Sequence, residues 1–166
     1  RSTAPTGGQG LFVQQWGDGH LSSFGESITI KRTDGSLAAV KSYVGDPSQT
    51  QQFLRISEMH FHPIGPNAAE FAAGYTDDDQ FEFMEFVNTS ASTLSLAGVH
   101  FNTNGGGVTF SFDASDSLAA GERGVIVSDL AAFTARYGES INVLGTYAGR
   151  LSNGGESLDL EDGTNS

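Results

Sequence analysis

An all-β sandwich carrying one short helix is the fold class that the sequence predicts, and three observations predict it. Glycine occurs 22 times and phenylalanine 12 times in 166 residues, and the apolar runs are short and broken by Gly, Ser, Asn and Asp, a composition suited to strands joined by turns. Several segments alternate apolar and polar residues with period two, the signature of a half-buried strand. One segment alone has helical spacing. The length is that of one ordinary domain with an appendage, enough to bury a useful core.

The elements follow in chain order. ESITIK (26–31) sets Ile28 and Ile30 between polar neighbours, and LAAVKSYV (37–44) reads as its companion strand. FLRISEMHFH (53–62), FEFMEFVN (81–88), VTFSF (108–112) and RGVIVSD (123–129) read as further strands. NTNGGG (102–107) suits a hairpin turn and YTDDDQ (75–80) a loop. Only SDLAAFTARYG (128–138) is expected to be helical. Ser128 or Asp129 can cap it, Leu130, Phe133 and Tyr137 fall on one face, and Gly138 suits its C-terminal end.

The formal charge is −12 and the pI near 4.4. Nucleic-acid affinity comes largely from Lys and Arg displacing counterions, so a nucleic-acid partner is not expected. The acid excess lies beyond Ser48, where Arg55, Arg123, Arg136 and Arg150 face a long series of carboxylates. Either it is a solvated surface that keeps a secreted protein soluble, or it meets calcium or a cationic partner. Cysteine is absent, which removes disulfides, thiolate metal sites and a cysteine nucleophile. The apolar runs are too short to cross a bilayer and the chain starts at Arg1 with no charged-then-apolar leader, so a soluble chain without membrane insertion, from which any signal peptide has already been removed, is expected.

The chain says one thing twice. A shift of 130 positions sets Gly19 on Gly149, Leu21-Ser22 on Leu151-Ser152, Gly25-Glu26-Ser27 on Gly155-Glu156-Ser157, Ile28 on Leu158 and Ile30 on Leu160, with no gap. Internal repetition of this kind is read before anything else because it changes the domain plan. Residues 1–48 are expected to be the closing strands of a preceding repeat or a donated strand, and residues 49–166 a domain without its last strand. The assembly strand Leu37 to Val44, with Leu37, Val40, Tyr43 and Val44 as its apolar positions, could then close a domain in its own chain or in the next one. Donation between subunits, head to tail, is the favoured expectation.

The order LRISEMHFHP, FEFMEFVNTSASTLSLAGVHF, VTFSF, LAAGERGVIVSDLAAFTARYG and GRLSNGGESLDLEDG resembles the lamin tail domain as it occurs in bacterial exported proteins. Glu85 and Asn88 sit in a segment similar to the family's E-F-x-E-[FLY]-x-N, and Leu96 and Gly98 match its Leu-x-Gly turn. The likeness covers residues 52–166, and residues 11–46 resemble the closing strands of a preceding copy. GPNAAEFAAGYTDDDQ (65–80) departs as an insertion. The resemblance implies an immunoglobulin-like sandwich without catalysis, attached to secreted or cell-surface proteins. Lamins use the domain to dock proteins and DNA, and the acidity here argues against the DNA role.

Candidate sites are few. Asp77, Asp78 and Asp79 repel one another unless neutralised, and calcium, a hard ion with oxygen ligands, is the natural neutraliser, although the spacing is not that of an EF-hand. His60 and His62 share a face of one strand and could reach one metal with His100 or Asp77 as a third ligand. Glu58 and Glu85 could form an acid and base pair, or bond to backbone or Arg. Trp16 and Phe24 suit core packing better than a sugar platform. No nucleophile elbow, phosphate loop or dinucleotide fingerprint is present. The expected role is therefore a non-enzymatic structural or adhesive module of an extracellular or cell-surface repeat protein or fibre, whose partners are its own copies or adjoining repeats. The alternative is a carbohydrate- or calcium-binding accessory module of a secreted hydrolase.

Overall fold

The computed structural model describes residues 21–102 and 107–163. The chain divides into two compact units, Arg1–Pro47 and Ser48–Ser166, and Trp16 lies outside the described residues.

In the first unit β1 (Gly25–Lys31) and β2 (Leu37–Val44) form an antiparallel hairpin in register from Gly25 opposite Val44 to Lys31 opposite Leu37, with an irregularity at Ile30/Lys31. The turn closes because Arg32 N–H donates to Ser36 O (2.8 Å) and Gly35 N–H to Arg32 O (2.9 Å). Gly35 there takes φ 85°, a value that glycine adopts without strain. Ser27 and Ser42 hydroxyls meet at 2.6 Å on one face. On the other, the Tyr43 hydroxyl donates to Ser22 O at 2.8 Å.

The second unit runs α1 (Gln49–Phe53), β3 (Leu54–His60), α2 (Ala68–Ala72), a 3-10 turn (Asp78–Phe81), β4 (Phe83–Asn88), β5 (Leu94–Ser95), β6 (His100–Asn102), β7 (Val108–Thr109), β8 (Ser117–Leu118), β9 (Arg123–Val127), α3 (Leu130–Tyr137), β10 (Val143–Thr146), β11 (Ala148–Gly149) and β12 (Asp159–Glu161). The principal sheet has the order β10-β9-β4-β3, and the short ladders are β11-β7, β12-β6 and β5-β8. The fold is predominantly β.

Period two decides what β4 does. Met84, Phe86 and Asn88 are buried while Phe83, Glu85 and Val87 between them are half-buried. Met84 and Phe86, with Ile126 of β9, enter the main core beside Leu94, Phe101, Val108, Leu118 and Leu151. Val125 and Val127 face the other way, against Phe133 of α3, with Phe83 and Tyr137 around them. The principal sheet is thus covered by short ladders on one face and by α3 on the other. Phe81, Phe86 and Phe133 are almost wholly enclosed, each such side chain stabilising the fold by roughly 1.5–3 kcal/mol.

β10 pairs with β9 in parallel, which a tight hairpin cannot do, so α3 serves as the crossover between them. One expectation needs correction: α3 is not the single helix. Ser48, Asn67 and Asp77 each open a helical turn through a reciprocal capping box with Gln51, Glu70 and Gln80 respectively. The insertion at 65–80 is therefore built of α2 and the 3-10 turn rather than being a plain loop. Arg136 of α3 holds it, stacking over Phe81 (3.3 Å to the ring centroid), donating to Ile64 O (2.6 Å) and gripping Glu70 with two nitrogens at 2.9 and 2.7 Å.

Candidate functional site

The two similar stretches fold into the same turn. Gly25 N–H donates to Ser22 O (3.1 Å) and Gly155 N–H to Ser152 O (3.0 Å). The Ser22 hydroxyl accepts from Phe24 N–H at 3.2 Å and the Ser152 hydroxyl from Gly154 N–H at 3.2 Å. Gly25 and Gly155 take φ values of 81° and 86°. Their surroundings then differ. Leu151 is 2% exposed, and Leu158 and Leu160 are half-buried against the main core. Leu21, Ile28 and Ile30, their counterparts, are 50%, 40% and 59% exposed. Phe24, expected in a core, is 60% exposed, because the hairpin has no second layer among the described residues to receive it.

Two separate clefts border the second copy. Thr50, Gln51, Leu54, Val99, Leu160, Glu161 and Asp162 line one of about 200 Å³. Met59, Phe61, Leu151, Ser152, Gly155 and Glu156 line another of about 220 Å³. Each therefore joins residues of the 50–61 stretch to residues of the 151–162 stretch. Leu54, Val99 and Leu160 make the first partly apolar, and Met59 and Phe61 stand exposed in the second.

The Asp162 end of the 151–162 stretch is pinned. The hydroxyls of Ser48 and Thr50 both donate to Asp162 Oδ2, the latter at 2.6 Å, and Gly163 N–H donates to Gly98 O at 3.0 Å. The Leu151 end is anchored by Glu82, which is fully buried. Leu151 N–H (2.9 Å) and the Tyr147 hydroxyl (3.1 Å) both donate to its Oε2, while Oε1 has no partner. Burial raises the Glu82 pKa, those two donors oppose the rise, and the Asp79 and Asp78 charges add to it. Burial, then the Glu82 charge, pushes the Tyr147 hydroxyl up as well.

Asp77, Asp78 and Asp79 do come together, with carboxylate oxygens within 4.8 Å of one another. Each also has a role within the fold: Asp77 caps the 3-10 turn by accepting from Asp79 N–H (3.2 Å), Asp78 lies 3.9 Å from His62 Nε2, and Asp79 accepts from Arg150 at 3.3 Å.

The histidines are dispersed. His60 stacks on Phe83 with ring centroids 4.9 Å apart, His62 lies beyond the end of β3, and His100 faces Glu161 at 3.8 Å. Among the described residues the aspartate trio is the only cluster with metal-ligand geometry. Glu85 accepts from Ser57 (2.6 Å) and from Arg123, whereas Glu58 stands opposite it across the β3-β4 ladder. Asp129, not Ser128, caps α3. Asn88, in a segment singled out by its sequence, is fully buried. Its amide nitrogen serves the carbonyls of Ser92 (2.7 Å), Leu118 (2.9 Å) and Ala119 (3.0 Å), and its oxygen accepts from Ser90 N–H (2.9 Å).

Beside the histidines, Asn67, Glu70, Arg136 and Tyr137 border a cleft of about 470 Å³ with His60 and His62. Arg136 is already committed there to Glu70, holding that carboxyl down at about 2 with help from Asn67 N–H. Among the described residues no helix is long and apolar enough to cross a membrane. No family model, curated protein or solved structure matches the chain, so the likeness to the lamin tail domain rests on the order of its motifs.

Proposed function

We propose that the chain is a non-catalytic structural or adhesive module of an extracellular or cell-surface repeat protein, built on an immunoglobulin-like sandwich of the lamin-tail type. One observation carries this reading: the same turn is written twice and folded alike, followed once by residues packed on a core and once by residues whose apolar side chains stand in solvent. Repeated units that leave apolar surface open suit stacking on neighbours. Three of the carboxylates support it too, since Glu82, Glu70 and Glu85 are engaged in holding segments together. An antibody against the chain should label intact source cells, and the purified protein should be silent against ester, glycoside, peptide and phosphate substrates. Turnover abolished by Glu58→Gln, Glu85→Gln or His60→Ala would sink the reading.

A second reading, a ligand-binding accessory module, is favoured by the mutual approach of the Asp77, Asp78 and Asp79 oxygens. Its ligand is calcium. Titrating calcium during thermal melting decides it: a rise in midpoint that disappears in Asp77→Asn/Asp79→Asn supports the site, and a flat midpoint removes it.

A further inference from the structure

A glycine that follows asparagine or aspartate leaves its backbone nitrogen unshielded by a side chain. That nitrogen can attack the preceding side-chain carbonyl carbon unless the fold withholds it. Among the described residues the pairing occurs at Asp34-Gly35, Asn153-Gly154 and Asp162-Gly163, while Asp18-Gly19 and Asn104-Gly105 lie outside them. The fold withholds two of the three. Gly35 N–H is given to Arg32 O (2.9 Å) and Gly163 N–H to Gly98 O (3.0 Å). The acids before them are engaged as well: Asp34 Oδ1 accepts from Ser36 N–H at 2.9 Å, and Asp162 Oδ2 accepts from the Ser48 and Thr50 hydroxyls. Both are carboxylates at neutral pH, whose charge repels a nucleophile.

Asn153 differs on each count. Its carboxamide is neutral, and the residue is exposed and makes no hydrogen bond to another described residue. Gly154 N–H reaches only the rotatable Ser152 hydroxyl at 3.2 Å, and that oxygen is the sole atom near the place where a Cβ would stand. The turn itself is closed one residue later, by Gly155 N–H to Ser152 O (3.0 Å). The first copy makes the same bond from Phe24 N–H to the Ser22 hydroxyl. It carries Ser23 and Phe24 where the second carries Asn153 and Gly154, so it offers no carboxamide to attack.

We propose that Asn153 is a self-modifying site, which converts to aspartate and isoaspartate in the folded protein. Gly154 N loses its proton to solvent base and bonds to Asn153 Cγ. The Cγ–Nδ2 bond breaks, and the departing nitrogen takes up a proton and leaves as ammonia. Water then opens the cyclic imide. Cleavage of the new N–Cγ bond gives aspartate, whereas cleavage between the Asn153 carbonyl carbon and Gly154 N gives isoaspartate, with the backbone running through the side chain. Water is the only co-reactant, and nothing is oxidised or reduced. Each conversion adds one negative charge to the formal −12 of the chain, in a cleft of about 390 Å³ that Asp79, Arg150 and Glu156 also line. Isoaspartate further lengthens the backbone between Ser152 and Gly155, inside the bond that closes the turn. Of the two copies of the turn, only the second ages in this way.

Trypsin cuts after Arg150 to release Leu151–Ser166, which carries both Asn153 and Asp162, and after Arg32 to release Thr33–Lys41, which carries Asp34. On incubation of the intact chain near neutral pH, Leu151–Ser166 should gain about 1 Da, located at Asn153 by fragmentation. Isoaspartyl methyltransferase should label that position at least about tenfold faster than Asp34 or Asp162, whose amides must first be released by local opening. The rate should rise about tenfold per pH unit, because the amide nitrogen loses its proton before it attacks. Unfolding in urea should speed Asp34 and Asp162 while changing Asn153 by no more than about threefold. Gly154→Ala, whose Cβ shields the nitrogen, should slow the conversion about tenfold. Asn153 that stays intact in the folded chain yet converts in urea, a rate unchanged by pH or by Gly154→Ala, or label spread equally over the three pairs in the folded chain overturns the proposal.

Discussion

Asn88 illustrates how one side chain can replace backbone pairing. Its amide group closes the turn after β4 on both sides, and no other residue type supplies two donors and an acceptor at that reach. Asn88→Ala should destabilise the protein by about 2–4 kcal/mol, since it orphans buried carbonyls, read as a fall in the denaturation midpoint at unchanged m-value. The acidic residues set the pH response from both directions. Glu70, with its pKa lowered to about 2, contributes stability above the ordinary carboxylate pKa that is lost as pH falls from about 4.5 towards 2. Glu82 has its pKa raised, so its contribution is present below the ordinary value and is lost as pH rises through the folded value. Melting midpoints across pH should show the acid limb flattened in Glu70→Gln and the decline above the ordinary carboxylate pKa flattened in Glu82→Gln. Asn88 was marked by its motif, and Glu82 could have been marked by phase, since in FEFMEFVN it falls on the same face as Met84, Phe86 and Asn88; its partners, the Tyr147 hydroxyl and Leu151 N–H, come from a distant segment that the sequence does not place.

At the scale of elements, the strands were legible where one face is buried. Met84, Phe86 and Asn88 alternate because β4 separates a core from α3; β9 was legible instead as a short apolar run, buried from Gly124 to Val127, and β1 alternates in sequence although both its faces are open. The short helices were missed because five residues give too few turns for a periodic stripe. Their start signals were present all the same, as Ser48-x-x-Gln51, Asn67-x-x-Glu70 and Asp77-x-x-Gln80. Asn67→Ala should cost about 1 kcal/mol by freeing the N–H groups of Ala69 and Glu70, and the Arg136 clasp should make that loss appear at Phe81 as well, visible as a change in the near-ultraviolet dichroism. The parallel pairing of β9 and β10 was not legible, since VLGT (143–146) carries little alternation and its place is fixed by the crossover through α3.

For the whole molecule, the duplicated turn was readable as words before it was readable as structure, but the two clefts beside its second copy were not, because their linings come from stretches about a hundred residues apart in sequence. The hairpin that follows the first copy has a consequence for how the protein opens. With Leu21, Ile28, Ile30, Leu37, Val40 and Val44 all exposed, β1 and β2 share a ladder but no core, so their amides belong to the least protected end of a native-state exchange profile. In the monomer, deuterium should enter Thr29, Lys41 and Tyr43 within seconds while Met84, Phe86 and Ile126 exchange only with global unfolding.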